Sequence, residues 1–336
     1  MRNGRREFIK TLGFSGLAWA GAGMDPSHAS AMNDQPGQDL VQANRMAAKT
    51  HVQRFNMSGY AAPKIDTVRI GIIGTGNRGS HHAGTLTRIG NVEIKAAADV
   101  RPERFERIKT NLKNTGHSPE YYAGSEDEWK KLCQRRDLDL ILITTPTYMH
   151  ADMAVYAMEQ GKHVITEVPA AVTIKQCWDI VKTSEKTKKH CMMMENYTFM
   201  PFHIVTLNMA KKGFFGEIVH GDCAYNTSKM GNNFGKTTYS NMWWLRMYGS
   251  RKGNIYPTHG LGPVSQMMNI NRGDQFDFLV SVESKDFMMA NKARELARKD
   301  SFYEEFAAKE YRGNMSSTLI KTKQGRTINL QNDATS

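Results

Sequence analysis

The chain has 336 residues, 40% of them hydrophobic, and 45 lysines and arginines against 33 aspartates and glutamates give it a net charge of +12. This length allows two domains, and the apolar fraction is typical of a globular protein with a sizeable core. Acidic residues are mixed among the basic ones, which favours solvated helix faces over a nucleic-acid-binding patch, and nothing beyond the N-terminal segment is apolar enough to span a membrane.

The first 31 residues resemble a twin-arginine export signal. The segment Arg5–Lys10 carries the arginine pair, and a glycine- and alanine-rich apolar run follows from Thr11 to Met24. Small residues at Ala29–Ala31 suit a signal peptidase, so we expect cleavage after Ala31 and a periplasmic or otherwise exported location. The alternative is a basic N-terminal helix that stays attached. Residues 32–66 show little periodicity and are predicted to form a linker or a loosely docked arm.

A glycine-rich turn follows the apolar run Val68–Ile73. Its sequence, Gly74-Thr75-Gly76-Asn77-Arg78-Gly79, has the spacing of a dinucleotide-binding loop between a strand and a helix. Gly74 would permit the tight turn, Gly76 would let the backbone approach a pyrophosphate, and Gly79 would let the helix pack on the strand. Phosphates would then meet free amides at the helix N-terminus. The alternative is a glycine-rich turn that holds no cofactor.

Asp99 ends a second apolar run, 20 residues beyond Gly79. An acidic residue at this point of a strand-helix-strand unit would hold the ribose hydroxyls of the cofactor. Its carboxylate would also repel a 2′-phosphate, which predicts NAD rather than NADP. Arg101, two residues later, weakens that preference.

Helices and strands alternate from residue 101 to residue 196. Helices are predicted over 101–114, 126–134, 149–160 and 174–188, the last capped by Thr173, and strands over 138–144, 162–167 and 190–196. This alternation predicts an α/β fold with a doubly wound parallel sheet, a Rossmann domain over residues 67–196. Since ligands bind beyond the carboxyl ends of such strands, residues 145–150 and 167–169 should face the nicotinamide.

The pattern changes after residue 196. A helix is predicted over 198–212 and strands over 217–225 and 276–284, while the runs 316–323 and 327–330 flank Gln324-Gly325 like an antiparallel hairpin. These elements predict a C-terminal α+β domain with an open sheet over residues 197–336. The four cysteines are widely spaced and form no C-x-x-C pair, so they indicate neither a disulfide framework nor a metal site: Cys133, Cys177, Cys191 and Cys223.

The order of these pieces resembles the glucose-fructose oxidoreductase and inositol dehydrogenase superfamily. Members that oxidise sugar alcohols carry Glu-Lys-Pro where this chain has Glu167-Val168-Pro169, and their lysine assists proton transfer. The Glu-Val-Pro-Ala-Ala run and the long motif Gly253–Val264 are similar instead to glycoside hydrolase family 109, the NAD-dependent α-N-acetylgalactosaminidases. The resemblance extends from Val68 to Ser336, with Gly313–Met315 and Gly325–Ile328 also matching.

The resemblance implies a glycosidase that uses NAD as a bound catalytic cofactor. Hydride would leave C3 of the sugar, the resulting ketone would acidify the C2 hydrogen, and loss of that proton would expel the C1 substituent. Water would then add, and the hydride would return. This route needs a base near O3 and C2 and an acid or water near C1, in place of two carboxylates at a fixed separation.

Tyr256 and His259 are the predicted catalytic residues. A phenol and an imidazole three positions apart can converge on one sugar if Pro257 fixes the backbone between them, and both exchange protons. The alternatives are a structural histidine with satisfied hydrogen bonds and a tyrosine that serves as an aromatic packing contact.

Further site residues are implied by the resemblance alone. The loop 147–150 matches a family loop that reads Trp-Glu-Trp-His, of which only the histidine is retained, and Arg246 is matched to a family arginine that follows a tryptophan. The implied NAD contacts are Gly74, Gly76, Asn77, Arg78, Asp99, Thr147, Tyr148, Met149, His150, Glu167, Val168, Asn196 and Tyr256. The implied substrate contacts are Tyr225, Arg246, Tyr256, Pro257, Thr258 and His259.

Family members continue beyond Ser336 into a Pro-Arg-Pro-Tyr-Ser segment whose tyrosine contacts NAD. The resemblance therefore predicts that this chain is truncated at its C-terminus, with an unpaired sheet edge and an incomplete site. Two other functions stay open: an NAD-dependent sugar oxidoreductase on the same scaffold, and a non-catalytic nucleotide-binding remnant. The expected partner is a small glycoside, with no nucleic acid and no membrane span, and a homodimer is allowed but not required.

Overall fold

The computed structural model describes residues 42, 46–47, 49–333 and 335. The predicted export signal and its cleavage site lie outside these residues. Within the described part of the chain, no helix combines the length and apolar character needed to cross a bilayer.

A parallel sheet of six strands forms the first domain. The apolar runs of the sequence become its strands because both faces of such a sheet are buried. The order in space is β3-β2-β1-β4-β5-β6, which is the order of a dinucleotide-binding Rossmann sheet. The strands are β1 Val68–Ile73, β2 Val92–Ala98, β3 Glu120–Tyr122, β4 Leu140–Ile143, β5 His163–Thr166 and β6 Cys191–Met193.

Helices cover both faces of this sheet. One core packs Leu132, Ile141 and Met158 together, and the other packs Ile72, Ile94 and Phe105. The predicted helices are confirmed, with ends that differ by a few residues; the one expected to start at residue 101 begins as the 3₁₀ turn Pro102–Arg104. The helices are α1 Asn77–Leu86, α2 Phe105–Leu112, α3 Glu128–Gln134, α4 His150–Glu159 and α5 Ile174–Thr187, the last capped by the Thr173 side chain as predicted.

A second sheet of four strands forms the C-terminal domain, with the order β7-β10-β9-β8. Strands β9 and β10 form the predicted antiparallel hairpin, whose turn contains Gly325 at a φ of +90°. Strand β10 also pairs with β7 in parallel, so the sheet is mixed. The strands are β7 His220–Asn226, β8 Phe276–Glu283, β9 Met315–Thr322 and β10 Thr327–Asp333.

Six α-helices accompany the second sheet in the described part of the chain, and five of them were not predicted from the sequence. They are α6 Pro201–Lys211, α7 Met230–Asn233, α8 Trp243–Ser250, α9 Thr258–Met267, α10 Met289–Ala297 and α11 Glu304–Ala307. Helix α9 lies directly on the sheet, with a glycine at each of two close points of contact. A Cβ added at Gly260 would lie 3.2 Å from the Ala224 nitrogen, and one added at Gly221 would lie only 2.8 Å from Val264. This close packing fixes the first turn of α9 beside the end of β7.

Candidate active site

The glycine loop has the shape that a dinucleotide needs. Gly74 has a φ of +88°, and a Cβ at Gly79 would lie 1.9 Å from the Gly74 carbonyl oxygen, so the turn and the close packing of α1 both require glycine. An added Cβ at Gly76 would meet nothing within 4 Å, which leaves open space above the loop. No side chain caps the first amides of α1. The loop therefore fits a pyrophosphate at this helix N-terminus.

Asp99 lies directly after β2, next to this loop. Its carboxylate accepts hydrogen bonds from the Thr75 backbone N–H at 2.7 Å and from the Arg101 backbone N–H at 3.0 Å. These bonds hold the carboxylate at the edge of the sheet where the ribose of a bound dinucleotide would lie. Asn77, exposed at the start of α1, accepts a hydrogen bond from Arg107 through its Oδ1 atom.

Glu167, directly after β5, is buried and ion-paired. Its Oε1 atom lies 2.7 Å from Arg78 Nε and 2.6 Å from His82 Nε2, both on α1. Burial acts to raise the pKa of Glu167, but the hydrogen bond from His82 and the charge of Arg78 outweigh it and hold the pKa at about 2. The carboxylate is therefore ionised and fixed. Val168, which follows, is buried and has no proton to transfer.

The loop 147–150 packs into the protein. Thr147 is buried against the Met247 sulfur of α8, and Met149 packs against one core of the first sheet. Gln176 donates to the Tyr148 carbonyl oxygen. Both ring nitrogens of the buried His150 lie 2.8 Å from backbone carbonyl oxygens, those of Pro169 and Thr145. His150 therefore braces the two loops at the sheet edge, and its contact with NAD stays a prediction.

Four rings from three segments form what we call the aromatic cluster: Tyr197, Tyr225, Tyr256 and His259. The His259 ring stacks on Tyr197 at 4.3 Å between ring centres and lies 4.7 Å from Tyr225 and 5.0 Å from Tyr256. Tyr197 follows β6 of the Rossmann sheet, Tyr225 is on β7, and Tyr256 immediately precedes α9. The structure thus brings the two predicted catalytic residues together with the predicted substrate contact Tyr225.

His259 is paired with a carboxylate that was not predicted from the sequence. Its Nδ1 atom lies 2.7 Å from Glu195 Oε1, and the two side chains are only 7% and 8% exposed. The same Oε1 accepts the Tyr197 backbone N–H, while Oε2 is buried with no hydrogen-bond partner in the described part of the chain. A carboxylate at Nδ1 fixes the proton there and leaves Nε2 as the proton acceptor. The one available signal was that Glu195 follows β6 at the ligand-binding edge.

The phenols of the cluster are held in their protonated form. Burial raises the pKa of Tyr256 far above its ordinary value, and the negative charges of Glu167 and Glu195 raise it further. Burial likewise raises the pKa of Tyr225. Glu167 follows β5 and Tyr197 follows the neighbouring parallel strand β6, so the aromatic cluster and the cofactor loop lie at the same edge of the Rossmann sheet. A protonated phenol next to a histidine base can donate a proton while the imidazole accepts one.

The remaining predicted site residues differ in where their side chains lie relative to the aromatic cluster. Pro257 precedes the first turn of α9, and Thr258 begins it with a buried hydroxyl that has no partner among the described residues. Asn196 is exposed at the end of β6. Arg246 binds Glu305 and the Asn241 carbonyl oxygen and lies over Phe306. The Arg246 guanidinium is therefore directed to α11, and its contact with the substrate stays a prediction.

The sheet order, the glycine loop and the ionised Glu167 define an NAD-binding protein with the architecture of a two-domain oxidoreductase. Residues 68–195 match the family model described as oxidoreductase family, NAD-binding Rossmann fold, and residues 201–336 match that of the glycosyl hydrolase 109 C-terminal domain. A glycosyl hydrolase family 109 protein from Shewanella pealeana is 40% identical over 100% of this chain and 70% of its own length. The chain belongs to glycosyl hydrolase family 109.

A further relative and two solved structures are also similar to this chain. An alpha-N-acetylgalactosaminidase from Shewanella oneidensis is 38% identical over 98% of this chain and 69% of its own length. Among solved structures, scyllo-inositol dehydrogenase from Lactobacillus casei with bound NAD(H) and scyllo-inositol shares the fold, with a TM-score of 0.57 and 15% identity over 80% of this chain and 71% of that chain. Myo-inositol dehydrogenase from the same organism, in complex with NAD(H) and myo-inositol, gives a TM-score of 0.58 at 16% identity, over 80% of this chain and 68% of that chain.

Among the described residues, no group of three or more histidine, cysteine, aspartate or glutamate side chains is placed to hold a metal ion.

Proposed function

We propose that this chain is a glycosidase that releases α-linked N-acetylgalactosamine by transient oxidation of the sugar. The observation that carries the proposal is that the aromatic cluster lies at the same edge of the Rossmann sheet as the cofactor loop, because Glu167 follows β5 and Tyr197, stacked on His259, follows the neighbouring strand β6. A sugar held there would lie between a hydride acceptor and two proton-exchanging groups. When bound, NAD would accept a hydride from C3 of the sugar and later return it.

The state of the two buried carboxylates favours this route over direct displacement. A conventional glycosidase needs one carboxyl group as acid and a second as nucleophile or base. Here Glu167 is fixed by Arg78 and His82, and Glu195 is bonded to His259. Neither is arranged as a free nucleophile, so the proton transfers pass to the histidine and the tyrosines.

The residues divide the proton transfers between them. His259, oriented by Glu195, accepts the proton of the O3 hydroxyl or of C2 through Nε2, and the carboxylate stabilises the imidazolium that results. Tyr256 keeps its proton because burial raises its pKa, so it can donate to the departing C1 oxygen. Asp99 and the first amides of α1 would hold the ribose and the pyrophosphate, and Glu167 would sit beside the nicotinamide end.

Turnover without net NADH distinguishes this function from its competitors. With NAD-loaded protein and p-nitrophenyl α-N-acetylgalactosaminide, we expect many turnovers of p-nitrophenol while NADH never exceeds the enzyme concentration. His259→Asn should abolish release, and His220→Asn, which changes an exposed histidine on β7, should not. Steady NADH accumulation would identify a sugar oxidoreductase instead. NAD binding without turnover on any glycoside or sugar would identify a non-catalytic protein.

We also propose that the enzyme is exported by the twin-arginine pathway, on the basis of the N-terminal sequence. That route carries folded proteins, which suits an enzyme that must bind its nucleotide in the cytoplasm before it leaves. Fractionation of cells that produce the full chain should place the protein in the periplasm, cleaved after Ala31. Arg5→Lys combined with Arg6→Lys should retain it in the cytoplasm. An uncleaved cytoplasmic parent protein would contradict the proposal.

A further inference from the structure

Lys229 lies beside the aromatic cluster, between the end of β7 and the start of α7. Its Nζ atom is 5.3 Å from the centre of the Tyr225 ring, 5.4 Å from that of Tyr256 and 5.8 Å from that of Trp244. Three rings thus surround one half-buried ammonium group. Contact with aromatic faces compensates only part of the hydration that a lysine loses on burial.

The ammonium group of Lys229 has no hydrogen-bond acceptor and no ion-pair partner among the described residues. The buried Lys162, in contrast, donates to the carbonyl oxygens of Arg135 and Leu138. Burial lowers the pKa of Lys229, and the like charge of Arg78 lowers it further. A lysine carries three N–H donors. An unfilled set of donors at this position is suited to accept a ligand that brings oxygen atoms.

Two arginines discussed above, Arg78 and Arg246, are paired with carboxylates of the described residues. Arg78 is bound to Glu167, and the Arg246 guanidinium is directed to Glu305. Trp244, two positions before Arg246, occupies the side of α8 that faces Tyr256, with 5.5 Å between the two ring centres. Residues two apart on a helix point in nearly opposite directions, so the side of α8 nearest the cluster is aromatic. Among the described residues, the cation that lies over these rings is therefore Lys229.

We propose that Lys229 is a substrate-binding residue that donates hydrogen bonds to oxygen atoms of the glycone sugar. Sugars suit such a site, since their C–H faces pack on aromatic rings while their hydroxyl and acetamido oxygens accept hydrogen bonds. Lys229 acts on binding and orientation, and His259 and Tyr256 transfer the protons. The identity of the sugar, N-acetylgalactosamine, rests on the proposed function.

The test measures sugar binding to NAD-loaded protein by calorimetry, with N-acetylgalactosamine, galactose and myo-inositol as probes. Lys229→Met keeps the length of the side chain and removes the charge and the donors. It should weaken the binding of N-acetylgalactosamine on the order of 10- to 100-fold, which is the value of a hydrogen bond to a charged group. Lys229→Arg should restore most of the affinity. NAD affinity and melting temperature should stay at the parent values in both variants.

Lys321→Met is the matched control, because Lys321 also lies over an aromatic ring, that of Phe278 at 6.0 Å, but on the second sheet. It should bind sugar like the parent protein. Equal affinity of Lys229→Met and the parent for the sugar would overturn the inference, as would a fall in kcat with KM unchanged.

The two proposals can fail separately. If the parent binds galactose or myo-inositol but not N-acetylgalactosamine, the assignment of the glycone fails, and the Lys229 variants measured with the bound sugar still decide the role of Lys229. If the parent binds none of the three sugars, both proposals are overturned.

Discussion

The pairing of His259 with Glu195 can be tested by Glu195→Gln. This change keeps the size of the side chain and an oxygen that can accept from Nδ1, but it removes the negative charge. In the parent protein that charge stabilises the imidazolium that forms when His259 accepts a proton. We therefore expect substrate binding to persist and the rate of the chemical steps to fall.

The structure sets the size of the effect. The Nδ1 and Oε1 atoms are 2.7 Å apart, and both side chains are less than a tenth exposed, so water screens the interaction little. A hydrogen bond to a charged partner contributes about 1.5–3 kcal/mol. If that contribution is lost from the transition state, kcat falls on the order of 10- to 100-fold.

The assay is kcat for p-nitrophenyl α-N-acetylgalactosaminide at saturating NAD. The chain offers a matched control in Glu185→Gln, since Glu185 is a second buried glutamate next to a histidine, with 3.5 Å between Oε1 and His51 Nε2. That pair lies between α5 and the arm before β1, away from the cluster, so the control should keep the parent kcat. A kcat for Glu195→Gln within about twofold of the control would show that the Glu195 charge does not assist proton transfer at His259.

Three further predictions concern the cofactor loop and the second proton-transfer group. Gly79→Ala should destabilise the fold by about 1–3 kcal/mol and abolish NAD binding, since its Cβ would overlap the Gly74 carbonyl oxygen. Gly76→Ala, whose Cβ would meet no protein atom within 4 Å, should weaken NAD binding at an unchanged melting temperature. Thermal melts and NAD titrations of both variants check this, and a lowered melting temperature of Gly76→Ala would contradict it. Glu167 has a pKa of about 2 in the folded protein against 4.5 ordinarily, so its ionised form stabilises the fold above pH 4.5. The parent protein should therefore have a higher free energy of unfolding than Glu167→Gln, and this difference should disappear as the pH falls from 4.5 to about 2. A difference that does not change with pH would contradict the prediction. Tyr256→Phe should lower kcat on the order of 100- to 10,000-fold with NAD affinity unchanged, and a fully active variant would show that the phenol is not the acid.

Much of the Rossmann domain could be predicted from sequence because its signals are local. Strands buried on both faces read as continuous apolar runs, and the glycine spacing at residues 74–79 reflects contacts within a few residues. The strand ends differ by a few residues, since the predicted strand 138–144 corresponds to β4 at Leu140–Ile143. The helices of the C-terminal domain have a weaker helical pattern in the sequence. Helix α8 is short and rich in aromatic residues, and α9 is interrupted by Pro263.

The site residues that were missed depend on distant contacts. Glu195 and His259 are 64 positions apart, and they meet only because α9 packs on the second sheet beside the end of β6. Arg246 was assigned to the substrate from its distance in sequence to a tryptophan. Once α8 is known, helical geometry directs Trp244 to the aromatic cluster and Arg246 to Glu305, a choice that spacing alone does not specify.

The most direct test of the central claim is mass spectrometry of the sugar released from an α-N-acetylgalactosaminide in deuterated water. Oxidation at C3 makes the C2 hydrogen exchangeable during each turnover, so we expect free N-acetylgalactosamine with deuterium at C2. Released sugar without deuterium at C2 would mean that the bond is cleaved without oxidation. No released sugar, with NADH accumulating beyond the enzyme concentration, would contradict the glycosidase assignment in favour of a dehydrogenase.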